Sequence, residues 1–193
     1  MSLLVLVLPS MANSDNLVTN GGFETGDFTG WSVTPTVPPG MAVIESSYVH
    51  SGQYAVELTS EPFSPLGELG ATLTTQPGTA YTLSFYLAVP IAPAPYPPLP
   101  RFTLDWSPTT ATTVLDTIFT SRSDWTLYTF TEIVALSATT FINLSWHISP
   151  DYGPCPIFLD DISVSSVPEP DILVCLGPLL AGLLVGARKF KCI

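Results

Sequence analysis

Basic residues are nearly absent from this chain. Five Lys and Arg stand against 16 Asp and Glu in 193 residues, and no lysine precedes Lys189. Three of the five (Arg188, Lys189 and Lys191) fall in the last six positions, so residues 13–167 hold fourteen acids against Arg101 and Arg122. That block carries a net charge of −12. An anion of this size repels phosphate backbones and acidic lipid headgroups, which excludes nucleic acid and anionic membrane surfaces as its partners. Cysteine is equally scarce. Cys175 and Cys192 lie near the C-terminus, and Cys155 is alone in the block, so neither an internal disulfide nor a cysteine metal cluster can form there. Set between Pro154 and Pro156, Cys155 reads as an inert loop thiol. There are only two histidines, His50 and His147, and no Gly-x-Ser-x-Gly turn to carry a nucleophile. A carboxylate pair for glycoside cleavage could be drawn from Glu45, Glu57, Glu61 and Glu68, but nothing selects two of them. The expectation is a protein that is not an enzyme.

Helical periodicity is missing as well. Residues 81–89 place apolar side chains at odd positions, and 101–106 place them at even ones. Residues 125–130, 140–148 and 157–164 alternate similarly, and Gly, Pro, Asp and Ser punctuate the runs. About eight short strands without helical crossovers predict an all-β fold, an antiparallel β-sandwich or jelly roll. Six prolines in residues 90–100 bar that stretch from a sheet interior, leaving an extended loop that presents Tyr96. Parity predicts Tyr81, Leu83, Phe85 and Leu87 in the core, with Tyr86 outward. The same rule buries Ile142, Leu144, Trp146 and Ile148 and turns Asn143, Ser145 and His147 to solvent. Trp31, Trp106, Trp125 and Trp146 are expected in the core. An aromatic ring beside amide, hydroxyl and imidazole groups suits a sugar, so Tyr86, Asn143 and His147 are the candidate ligand-binding residues, with Tyr96 at their rim. The Asn143-Leu-Ser145 sequon is read as chance.

The two ends differ from the block. Residues 172–187 form an uncharged run of sixteen, followed at once by Arg188-Lys189-Phe190-Lys191. The run has no polar face, and as a helix would span about 24 Å, so it reads as one short C-terminal transmembrane helix with its basic end in the cytoplasm. Val167-Pro168-Glu169-Pro170 precedes it, and the Pro pair keeps that segment extended and accessible beside the bilayer. Motif, helix and basic end together resemble the PEP-CTERM sorting signal of exported bacterial proteins. The resemblance implies recognition by an exosortase-type membrane protease, acting through Val167, Pro168, Glu169, Pro170, Arg188, Lys189 and Lys191. The basic end is thinner here than the usual Arg run. At the other end, Leu3–Leu8 and Ser10-Met11-Ala12 read as the apolar core and cleavage site of a signal peptide over residues 1–12. It lacks a basic start, and the true signal is expected to begin upstream. The expected organisation is signal 1–12, sandwich 13–167 and sorting tail 168–193.

The block itself resembles the galactose-binding-like jelly rolls of carbohydrate-binding modules. Residues 16–31, 50–56, 77–85, 125–130 and 158–162 carry the resemblance, in the family's order. It implies a polysaccharide partner and a structural calcium ion between the opening and closing segments. By position, Glu24 and Asp160 would supply carboxylates, with Asp161 the alternative to Asp160, and backbone carbonyls near Gly22 and Ser51–Gly52 would complete the shell. Oxygen-rich, flexible coordination suits that ion. In a regular strand Asp160 and Asp161 face opposite ways, so one should point inward and need a partner. His50, in a turn motif, is expected to be structural. Two functions stay open: a glycan-binding module at the cell surface, and a purely structural matrix protein. A glycan-active hydrolase is a third and weaker reading.

Overall fold

The computed structural model describes residues 15–34, 41–59, 66–91, 99–107, 112–148 and 155–168. Residues 15–167 form a compact unit. Ten strands run through it: β1 (Ser32–Thr34), β2 (Ala42–Glu45), β3 (Ala55–Leu58), β4 (Leu66–Thr74), β5 (Ala80–Val89), β6 (Arg101–Ser107), β7 (Thr112–Ile118), β8 (Ser123–Val134), β9 (Thr139–His147) and β10 (Ile157–Ser166). They make two five-stranded sheets, β1-β4-β9-β6-β7 and β2-β3-β10-β5-β8. Every pairing is antiparallel. No helix occurs among the described residues. Tyr96 and residues 169–193, the proposed transmembrane segment included, lie outside them.

The core forms where the inward faces of the two sheets meet. Tyr81, Leu83, Phe85 and Leu87 from β5 oppose Phe102, Leu104 and Trp106 from β6 and Ile142, Leu144 and Trp146 from β9, all buried. Phe85 and Phe102 bridge the layers with ring centroids 5.9 Å apart. Period two in these strands is therefore the signature of one buried and one solvated face. β4 escaped the sequence reading because Gly67 and Gly70 interrupt its alternation. Gly67 is required by packing: a Cβ there would overlap the indole of Trp146, whose N–H donates to the Thr59 carbonyl at 2.7 Å.

Trp125 departs from expectation. In β8 the inward residues are Tyr128 and Phe130, packed on Phe85 at 5.5 and 6.2 Å. Trp125 has the opposite parity and lies half-buried on the outward side of the second sheet. There it stacks on Tyr48 from the β2–β3 connection, with centroids 5.4 Å apart. Cys155 is buried, its thiol against the Ile91 carbonyl, and burial pushes its pKa up. The opening segment is tied to the closing strand. Leu17 N donates to Val164 O and Ile162 N to Gly21 O, while the Asn16 amide bonds both Ile162 and Val164.

Candidate functional site

The outward face of the first sheet is a register-matched array across β4, β9, β6 and β7. Directly opposed residues in antiparallel strands share a face, so each row can be followed from strand to strand. Leu66, His147, Arg101 and Ile118 form the first row. Glu68, Ser145, Thr103 and Asp116 form the second, and Gly70, Asn143, Asp105 and Thr113 the third. Thr72, Phe141 and Ser107 follow. Rows repeat about every 7 Å, and His147 and Phe141 stand roughly 20 Å apart along β9. That length suits an oligosaccharide more than a single small molecule.

The groups on this face are partly fixed by one another. Arg101 grips Asp116 through two bonds, Nε to Oδ1 at 2.7 Å and Nη2 to Oδ2. The pair holds the Asp116 carboxyl below its ordinary value and raises the guanidinium. Two of the five guanidinium N–H groups are thereby used, and three remain free among the described residues. Thr103 and Ser145 bond each other through their hydroxyls, and Thr113 donates to Asp105 at 2.8 Å. At the first row the face deepens into a cavity of about 610 Å³, whose lining includes Leu66, Leu99, Arg101, Thr103, Ser145 and His147.

Asn143, Ser145 and His147 are thus together and outward, as parity required. Tyr86 is not with them. It belongs to β5 in the second sheet, so its outward face is on the opposite side of the sandwich. Alternation tells inside from outside, but not which sheet a strand joins. Nor is Tyr86 an open platform, because the β2–β3 connection folds over it. His50 stacks on its ring at 3.5 Å with 18° between planes. Arg101, Thr103, Leu66 and Ile118 were missed by sequence reasoning. The signal for Arg101 was present, since it is one of two basic residues in a block of fourteen acids.

A second cluster joins residues 20–24, 50–54 and 160–162. Asp160 is in register with Tyr86 on the outward side of β10, yet 0% exposed. Its water is displaced by the β2–β3 connection rather than by the core. Asp160 Oδ2 accepts from His50 N at 3.0 Å and Ser51 N at 3.2 Å, and Oδ1 from Asp161 N at 2.7 Å. Desolvation outweighs these donors and pushes Asp160 up to about 6. The expectation that the two aspartates face opposite ways is corrected by a bulge. The register shifts between Asp160 and Ser163, and Asp161 adopts φ 52°. That turns Asp161 onto the same loop, where it meets His50 Nδ1 at 2.6 Å and Ser51 Oγ at 2.9 Å.

These oxygens test the calcium expectation. A Cβ on Gly22 would lie 3.3 Å from Asp161 Oδ1 and 3.9 Å from Asp160 Oδ1, so both carboxylates reach toward the Gly22 backbone. Hard oxygens around a buried anion are the right donors for calcium. Glu24 is turned away, its carboxylate accepting from Gln53 N and Tyr54 N at 2.9–3.0 Å. Among the described residues no three His, Cys, Asp or Glu groups are arranged to hold a metal ion. Asp160 and Asp161 bring carboxylate oxygens of the right chemistry to one loop, and Glu24 could join them only by leaving these amides.

Two antiparallel sheets, one presenting rows of hydroxyl, amide, imidazole and guanidinium groups to solvent, define a β-sandwich of the carbohydrate-binding-module class. The family model of the carbohydrate binding domain CBM_4_9 matches residues 15–143, well over half of the chain, and the chain belongs to this family. Among solved structures it is similar to TmCBM61 in complex with β-1,4-galactotriose. The TM-score is 0.64 at 20% identity, over 80% of this chain and 100% of that one. Family 16 carbohydrate binding module-2 gives 0.53 at 20% identity, over 77% and 99%. The CBM22-1 xylan-binding domain of Paenibacillus barcinonensis Xyn10C gives 0.53 at 14%, over 81% and 97%. No curated protein sequence matches the chain.

Proposed function

We propose that the protein is an exported, noncatalytic polysaccharide-binding module whose ligand lies along β9 on the outward face of the first sheet. The observation that carries this reading is the array on that face. Asn143, Ser145, Thr103, Arg101 and His147 occupy consecutive rows of two paired strands, β9 and β6. The family match supports it, and the glycans named for two structural neighbours, galactotriose and xylan, are the first class to try. Binding of the full chain to a panel of immobilised polysaccharides tests it. Retention of at least one neutral glycan is expected, weakened in Asn143→Ala and unchanged in Tyr86→Ala. The converse pattern would move the site to the other face.

Calcium at the second cluster belongs to the same proposal, with Asp160 and Asp161 as carboxylate ligands and Glu24 recruited to them. When bound, it supplies positive charge to an anion that burial destabilises. The full chain, stripped with chelator, is expected to unfold at a lower temperature and to recover in millimolar calcium, since an ion held only by the folded state stabilises by mass action. An unchanged midpoint removes the ion from the account.

Export and sorting complete the proposal. Val167 N donates to Ala80 O at 2.9 Å, the last described backbone bond before Pro168. Beyond it we place the membrane helix and the segment that an exosortase-type protease cuts, after which the protein stays at the cell surface or is released. Intact-mass measurement of mature surface protein should find a chain ending near residues 167–170. Material still ending at Ile193 would overturn processing.

A further inference from the structure

The first row of the outward face is unlike those beside it, and this inference rests on the reading of that face as the glycan-binding groove. Rows two and three carry hydroxyl, amide and carboxylate groups. Row one instead has aliphatic side chains on both outer strands, Leu66 exposed by 51% and Ile118 by 56%, flanking His147 and Arg101. Leu99 adds a third branched side chain to the same cavity of about 610 Å³. A single exposed Leu needs no explanation. Three aliphatic side chains converging on one cavity beside a guanidinium form a patch, and a patch in a polar face marks a contact.

The chemistry of that contact is narrow. An unsubstituted sugar ring rests its C–H face on a flat aromatic ring, and row one offers none beyond the His147 imidazole; Trp146, in the lining, is buried to 1% exposure. Branched aliphatic carbons suit a methyl group. The three N–H groups of Arg101 without a partner among the described residues suit an oxygen acceptor next to it. A carboxylate ligand is disfavoured, because Asp116 already neutralises Arg101 and Glu68 and Asp105 stand on the same face. We propose that this cavity reads a methyl-bearing substituent on an otherwise neutral glycan, the methyl of a 6-deoxyhexose or of an acetyl group. The methyl sits among Leu66, Leu99 and Ile118, and the adjoining ring or carbonyl oxygen accepts from Arg101.

The test uses the full-length chain against matched polymer pairs, with uronic-acid polymer as a further arm. One pair is O-acetylated xylan and the same xylan after mild alkaline de-O-acetylation. The other is a 6-deoxyhexose polymer and a hexose polymer of the same linkage. Binding at least about fourfold tighter to the methyl-bearing member of one pair is expected, the value of one buried methyl-sized group, and the pair that responds identifies the source. Leu66→Ser and Ile118→Ser should bring that pair to parity by weakening the methyl-bearing member more than the bare one, with the urea midpoint unchanged because both side chains are more than half exposed. Equal binding within both pairs overturns the proposal and leaves the groove intact, as does equal weakening of both members by the variants. Preference for the uronic-acid polymer overturns it too. No binding to any polymer overturns the groove reading itself.

Discussion

Asp160→Ala should cost about 3–5 kcal/mol of stability. Three backbone N–H groups, on His50, Ser51 and Asp161, lose their acceptor together, and each unsatisfied donor costs about 1–3 kcal/mol. Solvent entering the opened space repays part of that sum. Asp160→Asn separates hydrogen bonding from charge, because one amide oxygen still serves the His50 and Ser51 donors. Its effect is clearest against pH. The carboxyl is at about 6 in the fold against 3.8 for the ordinary group, so between those values the folded state binds more protons than the unfolded one. Stability is therefore full below about pH 4 and is lost as pH rises through 6, by roughly 3 kcal/mol in protein kept in chelator. Urea unfolding at pH 4, 5, 6 and 7 reads this directly. The wild-type slope should shrink in Asp160→Asn to the contribution of the remaining groups, among them Glu57, whose carboxyl burial also raises, and a flat wild-type profile in chelator would show that Asp160 does not titrate in that range.

Arg101→Ala should abolish most glycan binding with little effect on the fold. The Arg101 and Asp116 side chains are 51% and 44% exposed, and an ion pair so placed contributes about 0–1 kcal/mol to stability. Its value to a ligand is different. Asp116 fixes the guanidinium from two atoms, so the remaining N–H groups meet a sugar oxygen without first losing freedom. Removing them also leaves Asp116 unpaired in the groove. A hydrogen bond to a charged group is worth about 1.5–3 kcal/mol, so affinity should fall roughly ten- to a hundredfold. Calorimetric titration with whichever glycan the full chain retains, beside a urea midpoint, provides the check. Asp116→Asn should fall between wild type and Arg101→Ala, because the guanidinium stays but is held less firmly. Unchanged affinity in Arg101→Ala would remove row one from the binding face.

Alternation in the strands and the opening and closing motifs were enough to read an antiparallel sandwich from the chain. Inside and outside were legible too, for Leu83, Phe85, Leu144 and Trp146 among the buried residues and for Asn143, Ser145 and His147 among the outward ones. This is so because period two is a property of the single strand and needs no partner. Composition excluded nucleic acid for a similar reason, since net charge does not depend on where the chain folds.

What a strand pairs with is a different kind of information. Tyr86 and His147 have the same outward character, and only the division of strands between the two sheets sets them on opposite sides of the molecule. Arg101 becomes a groove residue because β6 lies beside β9, and Leu66 and Ile118 join it through the pairings of β4 with β9 and of β6 with β7. The burial of Asp160 depends on a loop some 110 residues away folding over the outward face, and the bulge at Asp161 then brings both carboxylates to that loop. Local pattern determined the strands and their faces; long-range pairing decided which faces met, because hydrogen-bonded ladders join residues by register and not by nearness in the chain.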